Sequence, residues 1–211
     1  MIICIILTLF IEISWGQSNM DINARIDIGV PQNQADIGQL IKRGDHWFQK
    51  NQEKPFTGIM SERSKKTGKR ILECEYIQGL MNGRYQEWYD DGTMKNSGYY
   101  REGQPEEKWS EWYPNGQKSD EITYKHGQRH GVWTEWYETG EKLYEGTYSK
   151  GREHGKHIKW YYGGQKAFEY RYYEGKKDGL WMEWYENGQK MYENRYAKDQ
   201  WNGLWIGWYM N

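Results

Sequence analysis

Five histidines are the residues of this chain best suited to ligate a metal. They are His46, His126, His130, His154 and His157. His130 and His154 are 24 residues apart, at matching places of a repeat whose backbones we expect about 10 Å apart. Zinc needs ligands that converge at about 2.0–2.1 Å. The spacing therefore predicts no metal site, and we expect these histidines to be polar connector residues.

A row of glutamates recurs with the same spacing and could supply the paired carboxylates of a glycoside hydrolase. The row is Glu87, Glu111, Glu135 and Glu183. A row of lysines, expected on the same face, is Lys118, Lys142, Lys166 and Lys190. A catalytic pair occupies one differentiated pocket, whereas these residues are copies of one another. Solvated, partly paired charge ladders are the simpler interpretation, and such exposed pairs add little stability.

Enzymatic motifs with a unique local pattern are missing from the sequence. We find no nucleophile elbow, P-loop or dinucleotide fingerprint. We therefore expect a protein that is not an enzyme and has no cofactor.

A repeat of 24 residues organises most of the chain. Its most regular members are tryptophans, each followed by tyrosine: Trp88, Trp112, Trp136, Trp160, Trp184 and Trp208. Glycines expected in turns keep the same period: Gly92, Gly116, Gly140, Gly164 and Gly188. A constant spacing of 24 residues over six copies, with no insertion, is not expected by chance.

Each copy is expected to form a β-hairpin. Residues 180–186 form one strand, Asn187-Gly188 a type I′ turn, and residues 189–196 the return strand. In this register Tyr185 lies opposite Lys190, Trp184 opposite Met191, and Glu183 opposite Tyr192. Short hairpins make neighbouring strands antiparallel, which excludes a parallel solenoid. The predicted fold is all-β: an elongated antiparallel meander of stacked hairpins in a single-layer sheet.

The tryptophan row allows two interpretations. As a structural ladder it stabilises contacts between copies, since aromatic cross-strand pairs contribute about 0.2–1 kcal/mol each. As a partly exposed platform it could bind a peptide or a sugar ring, so the six tryptophans are also our candidate partner-binding residues.

The two ends differ from the repeats. Residues 54–79 form a degraded copy, residues 40–49 a short hairpin, and residues 17–39 a loose leader. The array spans residues 40–211. Its last copy stops after one strand, which leaves an edge containing Trp205 and Trp208 where self-association is possible.

The amino terminus has the pattern of a secretory signal. Residues 2–13 (IICIILTLFIEI) form an apolar run of about 12 residues, too short to span a bilayer. Small residues, Ser14 and Gly16, precede a possible cleavage site before Gln17. Residues 1–16 are therefore assigned to a signal peptide, and the chain to the periplasm, cell envelope or medium. Cys74 is then the one cysteine left in the mature chain.

Composition limits the classes of partner. The chain has 29 basic and 30 acidic residues, so no electrostatic case for nucleic acid or an anionic membrane arises. Aromatic residues make up 17% of the sequence, with 13 Trp and 19 Tyr, so order must come from aromatic packing.

The repeated motif resembles a known family. Residues 179–190 follow the pattern G-x-W-x-E-W-Y-x-N-G-x-K, which resembles the bacterial variant of the MORN repeat, often labelled a YwqK-type antitoxin family. The resemblance covers roughly residues 40–211. It implies an elongated sheet of hairpins that binds other proteins or sometimes membranes. Three hypotheses for the function remain. The first is an exported protein-interaction scaffold, and the second is a cell-envelope carbohydrate-binding module that takes a surface glycan on the tryptophan or tyrosine rows. The third, implied by the family label, is an antitoxin or immunity-type inhibitor.

The signal assignment predicts a shortened mature protein. Amino-terminal sequencing of the exported form should begin near Gln17, because the apolar run and the small residues before it direct cleavage there. An exported form that still begins at Met1 would contradict the assignment.

Overall fold

The structure is a computed structural model that describes residues 33–209. The predicted signal peptide and residues 17–32 of the predicted leader lie outside the described residues. A 17-stranded sheet dominates the fold, and a separate two-stranded hairpin lies near its amino-terminal end. The predicted all-β, single-layer meander is therefore confirmed. No helix within residues 33–209 is long and apolar enough to cross a membrane.

The strands follow the chain order. They are β1 Gln34–Asp36, β2 Leu40–Arg43, β3 His46–Gln49, β4 Gly58–Arg63, β5 Arg70–Ile77, β6 Leu80–Trp88, β7 Met94–Arg101, β8 Gln104–Trp112, β9 Lys118–Lys125, β10 Gln128–Arg129, β11 Gly131–Trp136, β12 Lys142–Ser149, β13 Arg152–Trp160, β14 Lys166–Tyr173, β15 Lys176–Lys177, β16 Gly179–Trp184, β17 Lys190–Ala197, β18 Gln200–Trp201 and β19 Ile206–Gly207. From β4 onward all strand pairs are antiparallel and join neighbours in the chain. Three strands are interrupted and appear as the pairs β10/β11, β15/β16 and β18/β19.

The amino-terminal edge of the sheet is covered. Strand β1 pairs parallel with β4, and a 3-10 helix, Ile37–Gln39, follows it. The main apolar core lies here and consists of Ala35, Leu40, Phe56, Met60, Cys74 and Tyr76. Residues 33–39, predicted to be part of a loose leader, are thus ordered and packed. Burial and the neighbouring Glu75 raise the pKa of Cys74 to about 12, which disfavours the nucleophilic thiolate.

Type I′ turns occur in the fold, but they connect the second strand of one predicted hairpin to the first strand of the next. They join strands at Gln78-Gly79, Glu102-Gly103, His126-Gly127, Lys150-Gly151, Glu174-Gly175 and Lys198-Asp199, with positive φ at both central residues. Strand partners directly flank each turn, as in Ser149 opposite Arg152. The segment after Lys150, predicted as a long connector, is therefore a tight turn followed by a strand.

The predicted type I′ turn at Asn187-Gly188 is wrong. Gly188 has a φ of +82°, but Asn187 is not in the left-handed region. The Gly188 amide donates to the Tyr185 carbonyl at 2.9 Å, and the Tyr185 amide donates to the Gln189 carbonyl at 2.8 Å. This is a three-residue turn with a glycine bulge, which adds one residue to the loop.

The bulge changes the predicted register near the turn. Glu183 lies opposite Tyr192 as predicted, but Trp184 lies opposite Lys190 rather than Met191. Because facing residues share a side of the sheet, Lys190 lies on the face of Trp184 and not on that of Glu183. The prediction that the lysine and glutamate rows share a face is wrong for the same reason.

The turn geometry predicts opposite effects of two substitutions. Asp91, Asn115 and Asn187 each accept a bond from the amide two residues on, at 2.8, 2.9 and 3.0 Å. Thr139→Asn should add this bond and raise the free energy of unfolding by about 0.5–1 kcal/mol. Gly188→Val should lower it by about 1–3 kcal/mol, since a β-branched residue is strained at positive φ. Urea denaturation measures both, and equal small effects would contradict the turn assignment.

Candidate binding groove on the tyrosine face

The two faces of the sheet carry different rows of side chains. We call the side with Trp88, Trp112, Trp136, Trp160, Trp184 and Trp208 the tryptophan face. We call the opposite side the tyrosine face. Its two main rows, each with the 24-residue period, are Tyr85, Trp109, Trp133, His157 and Trp181, and Tyr100, Tyr124, Tyr148, Tyr172 and Tyr196.

Lysines occupy the spaces along the tryptophan face. Lys118 Nζ lies 5.9 Å from the ring centroids of both Trp112 and Trp136, which belong to adjacent copies. Lys142, Lys166 and Lys190 lie at 5.9, 5.7 and 5.5 Å from the tryptophan of the next copy. Each of these lysines also pairs with the glutamate three residues later. The tryptophan row is therefore part of a half-buried network between copies.

Tyrosine hydroxyls connect the same copies through the backbone. Tyr113 donates to the carbonyl of Trp136 at 2.7 Å, and Tyr137 to that of Trp160 at 2.9 Å. The same bond recurs for Tyr89, Tyr161 and Tyr185. The structure thus gives the tryptophan row contacts that a structural ladder requires, and its role in partner binding stays a prediction. Trp208, at the open end, is the most exposed of the six.

The tyrosine face contains a network of ring contacts. Trp181 stacks on Tyr170 with centroids 3.9 Å apart and meets Tyr172 and Tyr196 edge-on at 5.3 and 5.2 Å. Trp109 has similar contacts with Tyr85 and Tyr100 at 5.5 and 4.9 Å. Aromatic pairs of this geometry are favourable beyond the area they bury.

A groove opens on this face where the row of large rings is interrupted. Its volume is about 390 Å³. Side chains from four consecutive strands, β11 to β14, line it: Trp133, Glu135, Leu143, Tyr144, Tyr148, Glu153, His157, Lys159, Phe168, Tyr170 and Tyr172. A site of this composition has apolar rings for contact area and a few polar groups for orientation.

His157 lies in the groove where neighbouring copies have tryptophan. It is only 2% exposed and is held by two hydrogen bonds. Its Nδ1 accepts from the Tyr144 hydroxyl, and its Nε2 donates to the Thr147 carbonyl at 3.0 Å. Burial lowers the pKa of His157, and the bond to Thr147 offsets only part of this shift. The imidazole is therefore neutral near neutral pH.

The glutamate row lies on the tyrosine face, but its members are not equivalent. Glu183 accepts hydrogen bonds from the hydroxyls of Tyr170 and Tyr192. Burial would raise the pKa of Glu87, but hydrogen bonds from Lys95 and Asn96 outweigh it and lower the value. Burial and Asp120 raise the pKa of Glu135, which lines the groove. The expected uniform, solvated ladder is therefore replaced by distinct local environments.

The histidines do not converge. Within residues 33–209, no group of three or more His, Cys, Asp or Glu side chains could hold a metal ion. His154 packs against Tyr173 at 5.3 Å, whereas His157, three residues later, lies in the groove.

Sequence reasoning missed the groove, although the sequence contains a signal for it. His157 interrupts the row of Trp109, Trp133 and Trp181, and Lys159 interrupts the glutamate row in the same copy. Two substitutions in one copy of a regular array mark the place where that copy differs from the others.

The buried imidazole predicts a pH-dependent stability. Unfolded histidine has a pKa of about 6.5, and the folded value is lower, so protonation favours the unfolded chain. Stability contributed by neutral His157 should be lost as pH falls from about 7 to about 5. Urea midpoints of the wild type should fall more steeply over this range than those of His157→Gln. Identical pH dependence in the two proteins would contradict the burial of a neutral imidazole.

Comparison with known proteins agrees with this architecture. No curated protein matches the chain. Three segments of the chain match the family described as MORN repeat variant. They are residues 106–126, 129–150 and 177–198.

Proposed function

We propose that this chain is an exported, non-enzymatic repeat scaffold that binds a protein partner along its tyrosine face. The observation that supports the proposal best is the groove lined by four consecutive strands. The MORN-type repeats support the scaffold part of the proposal. The apolar run at residues 2–13 supports export.

The chemistry of the groove suits a protein surface. Aromatic side chains dominate the energetics of many interfaces, since they bury a large area at a low entropic cost. Glu135, Glu153 and Lys159 add charges of both signs to this aromatic lining. The hydrogen-bonded sheet holds these groups in place before a partner arrives, which lowers the cost of binding. An antitoxin-type inhibitor would be one form of such protein binding.

A glycan is the second candidate ligand. Carboxylates and tyrosine hydroxyls lie beside ring faces in the same groove, and sugars bind through hydrogen bonds and ring stacking. A glycan array probed with the full chain distinguishes this ligand from a protein.

Site-specific photocrosslinking tests which face binds. Lys159 lines the groove, whereas Lys156, on the same strand, pairs with Glu169 on the tryptophan face. A photoreactive phenylalanine analogue placed at position 159 of the full chain should capture a protein from the envelope fraction. The same analogue at position 156 serves as the matched control and should capture little.

The outcomes separate the hypotheses. Capture at position 156 but not at 159 would assign binding to the tryptophan face. No crosslinked protein together with binding of one glycan on the array would replace the proposal with the carbohydrate-binding function. Lys156 and Lys159 are both exposed, so the two variants should fold.

A further inference from the structure

One position on the tyrosine face changes its chemistry from copy to copy. In five successive copies it is occupied by Met81, Pro105, Arg129, Glu153 and Lys177. In each copy this residue precedes a pair of rings formed by one member of each main row of the tyrosine face. The pairs are Tyr85–Tyr100, Trp109–Tyr124, Trp133–Tyr148, His157–Tyr172 and Trp181–Tyr196.

Two copies place their own cation over this ring pair. The guanidinium of Arg129 lies 4.7 Å from the Trp133 centroid and 5.4 Å from that of Tyr148. The ammonium of Lys177 lies 4.3 Å from Trp181 and 4.9 Å from Tyr196. These distances are typical of cation–π contacts, in which the negative ring face attracts the charge. The fold thus shows that the site accommodates either type of basic side chain.

The copy between them has an acid at this position. Glu153 lies opposite Tyr148 in the strand pairing and lines the groove together with the His157–Tyr172 pair. None of the cation–π contacts found within residues 33–209 falls on Tyr172, and none of the ion pairs there includes Glu153. The nearest basic group in the row, Arg129, already lies over Trp133 and Tyr148. A carboxylate beside a ring face is unfavourable unless a cation lies between them.

The geometry points to a binding site for a basic side chain: a lysine or arginine of the protein partner lies against the half-buried ring of Tyr172, with the Glu153 carboxylate as its counter-ion. The external cation takes the place that Arg129 and Lys177 fill in the adjacent copies. His157 is buried beneath this ring and neutral, so it adds no repelling charge. This inference rests on the proposed function, because it names the chemistry by which the groove recognises its protein.

Burial of Glu153 agrees with this assignment. Burial raises the pKa of its carboxyl, and the charge of Arg129 offsets part of the shift. A bound cation would lower that pKa again and recover the cost of desolvating the carboxylate.

Short capped peptides test the site directly on the full chain. Peptides Gly-Gly-Lys-Gly-Gly and Gly-Gly-Arg-Gly-Gly should shift the NMR signals of the Tyr148 and Tyr172 rings in a saturable manner. The isosteric norleucine peptide should not, because it lacks the charge. Glu153→Gln should weaken binding by about tenfold, through loss of the counter-ion. Glu153→Lys should abolish binding, since it supplies the cation from within the chain.

Lys177→Glu serves as the matched control, because it should create a second cation-binding site. It should uncover the Trp181–Tyr196 pair and create a second binding site, seen as shifts of the Trp181 and Tyr196 signals. If the norleucine peptide binds as well as the lysine peptide, or if Glu153→Gln binds normally, the site is not a cation site. If putrescine binds as tightly as the peptides, the groove takes a free small cation rather than a protein side chain.

These outcomes are separable from those of the crosslinking experiment. Protein captured at position 159 without binding of basic peptides would leave the scaffold function intact and reject the cation site. Binding of basic peptides without any captured protein would leave the cation site and reject the scaffold function.

Discussion

The register of 24 residues per antiparallel strand pair is the constraint on which the rest of this structure depends. Because one period contains two strands, every side chain lies next to its own counterparts in the preceding and following copies, about 10 Å away. Because the copies have similar sequences, residues of the same type form rows across the sheet. A residue type therefore stabilises the array only if its side chain packs well against the same side chain in the next copy or against the neighbouring row.

This constraint explains how a chain so poor in aliphatic residues holds a fold. On the tryptophan face, lysines alternate with indole rings and pair with glutamates, while tyrosine hydroxyls reach the backbone of the next copy. Each contribution is small, but all of them act between neighbours and add along the array. A conventional apolar core is found at the amino-terminal end, where β1 and the β2–β3 hairpin cover the first strand pair. The opposite end has no such cover among the described residues, and Trp205 and Leu204 are exposed there.

The copy that contains His157 shows how one copy of a regular array can differ from the others. The imidazole of His157 is buried among three tyrosines where other copies have an indole, and a groove lies on the same face of this copy. The changes at positions 153, 157 and 159 lie on one face of one strand, β13, so together they give a single groove its own charge pattern.

The sequence alone determined the period, the antiparallel order of the strands and the residues that share a row. Spacing is sufficient for this, since a fixed repeat with short turns permits one pairing order. The face of the lysine row was decided by the tertiary structure. A left-handed glycine occurs in turns of both kinds, so Asn187-Gly188 does not distinguish a two-residue turn from a three-residue turn with a bulge. That one-residue difference moves Lys190 to the opposite face. The groove was also decided by the tertiary structure, because His157 becomes part of a cavity only when Tyr144, Tyr148 and Tyr172 from neighbouring strands surround it.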